Sequence, residues 1–78
     1  MKILNCKKKI TKEIKNYNQK NKSGKGGKYY PVFFSKINVL CEKYFRNNFE
    51  GIYIIFSCCG YISGLDIELS DKIISIRG

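Results

Sequence analysis

The chain has no histidine and no tryptophan, one proline, and no arginine among its first 28 residues. Without histidine it lacks the usual general base, the commonest metal ligand and the partner of a Ser/His or Cys/His nucleophile. No apolar run approaches the roughly 18 residues that a membrane-spanning helix needs. Lys2 stands where N-myristoylation requires glycine. Met1–Cys6 is too short to serve as the apolar part of a signal peptide before the Lys7-Lys8-Lys9 run. The expected setting is therefore the reducing cytoplasm, and no membrane partner is expected.

Cysteine is present but poorly spaced. Cys6, Cys41, Cys58 and Cys59 include no CxxC pair. On a strand, the adjacent Cys58 and Cys59 would face opposite sides, which suits neither a bridge nor a shared metal. Cys41 falls on the apolar face of a helix and reads as a buried, inert thiol. No metal, no disulfide and no cofactor are expected.

What is abundant is lysine, unevenly placed. Residues 1–28 hold ten lysines and one glutamate, a balance of 10 − 1 = +9. Residues 29–78 hold five basic and five acidic residues, a balance of zero. The whole excess is thus segmental, and a basic segment on a neutral domain implies a directed field.

At 78 residues, 44% of them hydrophobic and 14% aromatic, the chain can build one domain around one modest core. Ile3, Cys6, Ile10, Ile14 and Tyr17 step by three and four, a narrow helical stripe. Residues 2–19 admit a helix on this stripe; a competing reading makes Lys2–Cys6 a short strand and starts the helix near Lys7, a start weakened by lysines that oppose the helix dipole, and the helix is expected over roughly 7–19. Asn18–Lys28 has three glycines and no hydrophobic residue, and reads as a mobile loop. Pro31 suits the first turn of a second helix. Ile37, Leu40, Cys41, Tyr44 and Phe45 give that helix its apolar face, and Asn47-Asn48 and Gly51 end it.

The period then changes. Ile52–Cys58 is a dense β-branched and aromatic run, expected as a buried central strand. Gly60 and Gly64 mark a turn and a bulge. Leu65, Ile67 and Leu69 alternate with Asp66, Glu68 and Ser70, and Lys72–Arg77 returns after a turn at Ser70-Asp71. The predicted class is α+β in the order α-α-β-β-β, with the second helix packed on a three-stranded antiparallel meander. Residues 1–28 form its basic N-terminal segment and 29–78 its compact core, in one domain overall.

Catalytic equipment is thin. Asp66 and Glu68, about 6.6 Å apart along a strand, have the spacing of a magnesium site but read better as the wet face of a hairpin. Ser23–Lys28 has the composition of a phosphate-binding loop, yet Tyr29 follows Lys28 where the P-loop requires Ser or Thr, and no strand precedes it. The expectation is a protein that is not an enzyme.

Lysines beside glycines and tyrosines point instead to polyanion binding. The candidate contacts are Lys7, Lys8, Lys9, Lys12, Lys15, Lys20, Lys22, Lys25 and Lys28, with Tyr29 and Tyr30 as stacking rings. Lysine lacks the planar fork that reads guanine, so binding to nucleic acid or nucleoprotein is expected to be largely sequence-independent. A rival expectation is an inhibitor docking on a host protein or ribonucleoprotein machine. Small size, missing catalytic groups and the Lys, Asn, Ile, Tyr and Phe bias of AT-rich coding sequence suit phage or mobile-element proteins of the anti-CRISPR or other anti-defence type. A polybasic membrane contact ranks below both, having no lipid signal. The last strand offers an edge for pairing with a partner or a second copy as a homodimer.

Overall fold

The structure is a computed structural model that describes residues 2–77; Met1 and Gly78 lie outside the described residues. Two helices, α1 (Lys2–Lys22) and α2 (Gly26–Phe45), precede strands β1 (Phe49–Phe56), β2 (Ile62–Leu69) and β3 (Ile73–Arg77). A 3₁₀ turn at Cys58–Gly60 links β1 to β2. The α+β class and the α-α-β-β-β order agree with the sequence reading.

α1 begins five residues before the expected Lys7 and replaces the alternative strand over Lys2–Cys6. Burial decides this. Cys6, Ile10, Ile14 and Tyr17 are buried, and Ile3 packs half-buried beside them. Each large apolar side chain buried stabilises by about 1.5–3 kcal/mol, against about 0.3–1 kcal/mol for an unfavourable charge near a helix end.

The predicted mobile loop over Asn18–Lys28 shrinks to the three residues Ser23–Lys25. Gly24 adopts φ +80°, where a side chain would be strained. Its N–H bonds the Asn21 carbonyl at 2.9 Å, and the Lys25 N–H bonds the Lys20 carbonyl at 2.9 Å. This is a Schellman cap, which satisfies the last carbonyls of α1 and turns the chain. Two amides anchor the same region. Asn18 Nδ2 donates to the Ile62 carbonyl at 3.0 Å, and Asn18 Oδ1 accepts from the Ile62 N–H at 2.9 Å. Asn21 Nδ2 donates to the Cys59 carbonyl at 3.1 Å.

Pro31 does not open α2; it lies five residues inside, on the exposed face. It removes one backbone bond, a cost of about 3 kcal/mol in a helix interior. The packing of rings from that stretch offsets it. Phe33, Tyr30 and Tyr29 approach Tyr17 with centroids 5.2, 6.1 and 6.4 Å away.

The strands pair in sequence order, so β2 is central and β1 is an edge. The Ile52–Cys58 run is therefore not the buried central strand its composition suggests. Ile52 and Ile54 pair with Ile67 and Leu65 and face the helices, while Tyr53 and Ile55 pair with Asp66 and Gly64 on the outer face. Gly51, expected with Asn47-Asn48 to end the second helix, lies inside β1 next to a register shift. A second shift leaves Ser63 without a partner between Ile55↔Gly64 and Phe56↔Ile62. Cys58 and Cys59 are not on a strand at all; both are exposed in the 3₁₀ turn, with Cys59 at φ 67°.

One core joins the two layers. Of thirteen buried hydrophobic residues among those described, α1 supplies Cys6, Ile10, Ile14 and Tyr17, and α2 supplies Phe33, Ile37 and Cys41. β2 and β3 supply Ile62, Leu65, Ile67, Leu69, Ile74 and Ile76. The core thus extends across residue 28 and is not confined to 29–78.

The helix connection is tight enough to test. A Cβ on Gly26 would stand 2.9 Å from Asn21 Cβ and 3.0 Å from Asn21 Cα, whereas one on Gly27 meets nothing within 4 Å. Gly26→Ala is expected to lower stability by about 1–3 kcal/mol, and Gly27→Ala to leave it unchanged or raise it by up to about 1 kcal/mol. Urea midpoints that move equally for both variants would contradict this packing.

Candidate nucleic-acid interface

With the Cys6–Tyr17 stripe turned inward, the 3.6-residue period carries Lys8, Lys12, Lys15 and Lys22 to the opposite side of α1. All four are exposed, and none forms an ion pair among the described residues. Lys7 is half-buried at the border, where Lys7, Lys8, Thr11, Lys12 and Lys15 line a shallow depression of about 340 Å³. From Lys8 to Lys22 this face runs about 21 Å along the axis. It contains no carboxylate. Glu13, the only acid in the first 28 residues, lies in the groove towards α2 with Oε1 3.9 Å from Lys36 Nζ.

The other lysines divide. Lys9 Nζ lies 5.8 Å from the ring centroid of Tyr44, which Lys43 also approaches at 5.8 Å. Lys20 and Lys36 stand over Tyr29 at 5.4 and 5.8 Å. Lys25 and Lys28 are exposed around the Schellman turn and the first turn of α2. The nine candidate lysines therefore do not make one patch. Lys8, Lys12, Lys15 and Lys22 share a face, Lys25 and Lys28 lie outside it at the helix connection and the start of α2, and Lys9 and Lys20 turn towards the tyrosines of α2.

Tyr29 and Tyr30 are half-buried and lie away from the lysine face. The Tyr29 hydroxyl accepts from Asn16 Nδ2 at 2.8 Å and from Lys36 Nζ at 3.3 Å. That hydrogen bond, and then the charge of Glu13, raises the pKa of Lys36. Tyr30 is ringed by Tyr17, Phe33, Phe34 and Phe56 at centroid distances of 5.8–6.2 Å. Burial raises its pKa, with Tyr17 adding to the effect. Both rings belong to the helix–helix seam. Asn16 and Lys36 escaped the sequence reading because their partner lies on the other helix, a relation no single-helix period reports.

The remaining chemistry is engaged or scattered. Asp66 accepts from Arg77 Nη1 at 3.0 Å, a bond that holds its carboxyl below the usual range. The Tyr53 hydroxyl donates to Glu68 Oε1 at 2.8 Å and is raised by that bond. Among the described residues, no three His, Cys, Asp or Glu side chains gather where they could hold a metal ion. No helix of the described residues is long and apolar enough to cross a membrane.

No protein-family model, curated protein or solved structure matches the chain. The reading of this surface rests on its own geometry.

The thiols give a check on the core beneath it. Burial pushes Cys41 up from 9.0 to about 12 and raises Cys6 as well. A thiol raised in the fold contributes stability that is complete below its unfolded pKa and is lost as pH rises towards the folded value. The unfolding free energy is therefore expected to fall from about pH 8.5 upward, by at most about 1.4 kcal/mol per pH unit for each thiol, and the melting temperature to fall with it. Iodoacetamide should label Cys58 and Cys59 in the native protein, and Cys6 and Cys41 only after unfolding. Native labelling of all four, read by mass spectrometry, would contradict the packing.

Proposed function

We propose that the protein is a non-enzymatic binder of nucleic acid that grips the phosphate backbone with the outward face of α1, largely without regard to sequence. The observation that carries this reading is a carboxylate-free lysine face, formed by Lys8, Lys12, Lys15 and Lys22, on a helix of about 30 Å. Lysines here release counterions from the phosphates and impose no bidentate base geometry. The opposite side of the same helix is packed in the core, so the charges are held by a rigid element rather than a tether. Tyr29 and Tyr30 serve the helix seam in this reading, and base stacking is not required.

The geometry also sets the expected salt dependence. A backbone lying along this face meets about four lysines, giving a slope of log K against log salt near −4 for duplex DNA. Fluorescence anisotropy of labelled single- and double-stranded DNA and RNA measures it with the full chain. Lys8→Gln/Lys12→Gln/Lys15→Gln should lower the slope by about 3, while Lys9→Gln/Lys43→Gln, on the Tyr44 flank, should leave it near the parent value. Absence of binding to every probe at about 50 mM salt would overturn the reading, and the lysine face would then be sought in a protein or ribonucleoprotein complex.

A further inference from the structure

Past Glu50 and the register shift at its start, the sheet edge farthest from α1 is unguarded. From Ile52 to Phe56, β1 carries neither charge nor proline, the usual protection of an open edge. Beside it Phe34 and Phe56 are 36% and 48% exposed, and their rings stand 6.1 and 5.8 Å from that of Tyr30. We propose that the β1 edge and the adjoining flank of α2 form a two-fold interface between two copies of this chain, joining two sheets into one of six strands.

The surface is complementary to itself. A two-fold axis at Ile54, the midpoint of the uncharged run, pairs Ile54 with its counterpart and Ile52 with Phe56 of the second copy on the helix side. Tyr53 then meets Ile55 of the second copy on the outer face. Every such pair is aromatic or β-branched, the kind that stabilises antiparallel strands.

α2 adds charge complementarity. Tyr30 touches Phe56 at one end, and the turn over residues 46–48 joins Phe45 to Phe49 at the other. Those spans are about 22 Å along the helix and about 23 Å along the strand, so an axis at Ile54 passes α2 near Phe34. Glu42 lies about 12 Å to one side of Phe34 and Lys28 about 9 Å to the other. The two-fold therefore sets Glu42 of each copy beside Lys28 of its mate. Both are exposed and without an ion-pair partner among the described residues.

The β3 edge, which the sequence suggested for pairing, is disfavoured by its charge. Lys72 precedes β3 and Arg77 ends it. α1 lies over β2 and β3, so joining there would bring two lysine helices together. Joined at β1, the order α1-α2-α2-α1 sets them three interhelical steps apart, about 24–30 Å, or more than two Debye lengths at 0.1 M salt. The mutual repulsion of the basic segments is then largely screened.

Sedimentation equilibrium of the full chain without nucleic acid tests this independently of the proposed binding function. Between about 1 µM and 1 mM, the mass should rise from 9.1 kDa towards twice that value. Phe34→Lys should weaken association about tenfold or more. Glu42→Lys should weaken it about fivefold, and Glu42→Lys/Lys28→Glu should restore it, because the pair is rebuilt with its charges exchanged. Circular dichroism establishes that each variant is folded; should Phe34→Lys fail to fold, the surface charge exchange still decides the matter. A monomer throughout the range, or a dimer that none of these substitutions weakens, would overturn the proposal. So would a double variant no tighter than Glu42→Lys alone.

Discussion

Ile10 and Ile14, fully buried between the second helix and the sheet, hold the arrangement together. The stripe they belong to is one residue wide at each turn, so docking it leaves most of the circumference of α1 in water. Lysine suits such a surface because its stem lies along the helix while its ammonium stays hydrated. The element that seals the core and the element that carries the charge are consequently the same. A change that loosens the stripe also disorders the charge, and removing residues 1–28 would take Cys6, Ile10, Ile14 and Tyr17 out of the core.

That economy has an electrostatic side. Glu13, Lys36, Lys20 and Asn16 converge around Tyr29, and Lys9 and Lys43 flank Tyr44, so part of the positive charge is spent along the seam between the helices. The lysines that point directly away from the core have no such engagement among the described residues. The field is thereby concentrated on one side, while the β1 edge and its aromatic neighbours stay almost free of charge. Two different surfaces, one polar and one apolar, are set on opposite flanks of a domain whose shorter dimensions are 20 and 19 Å.

The parts legible in the sequence were those governed by local period. The stripe from Ile3 to Tyr17, the α2 face through Ile37 and Cys41, and the alternation of Leu65, Ile67 and Leu69 each report their element directly. The illegible parts depend on partners distant in sequence. A glycine-rich connector reads alike whether it is a tether or a Schellman cap, because the difference lies in the Lys20 and Asn21 carbonyls it satisfies. Pro31 reads as a helix start until Tyr17 is known to gather rings from the turn before it. The apolar run in β1 reads as a central strand, since composition reports burial but not which neighbour is absent. For the candidate interface, the density of lysine was visible, while its division between an outward face and a tyrosine seam required the orientation of α1 against α2.

The Asn18–Ile62 pair joins residues 44 positions apart, whereas the helical hairpin and each strand pair connect neighbouring elements. Closing a short loop takes tens of nanoseconds, helices and hairpins form within microseconds, and longer closures carry a larger entropic cost. The native contacts accordingly fall into two local sets, the helix pair and the meander, with the amide clamp closing the long loop between them. That separation makes the clamp costly to close, and once closed it ties the end of α1 to the start of β2.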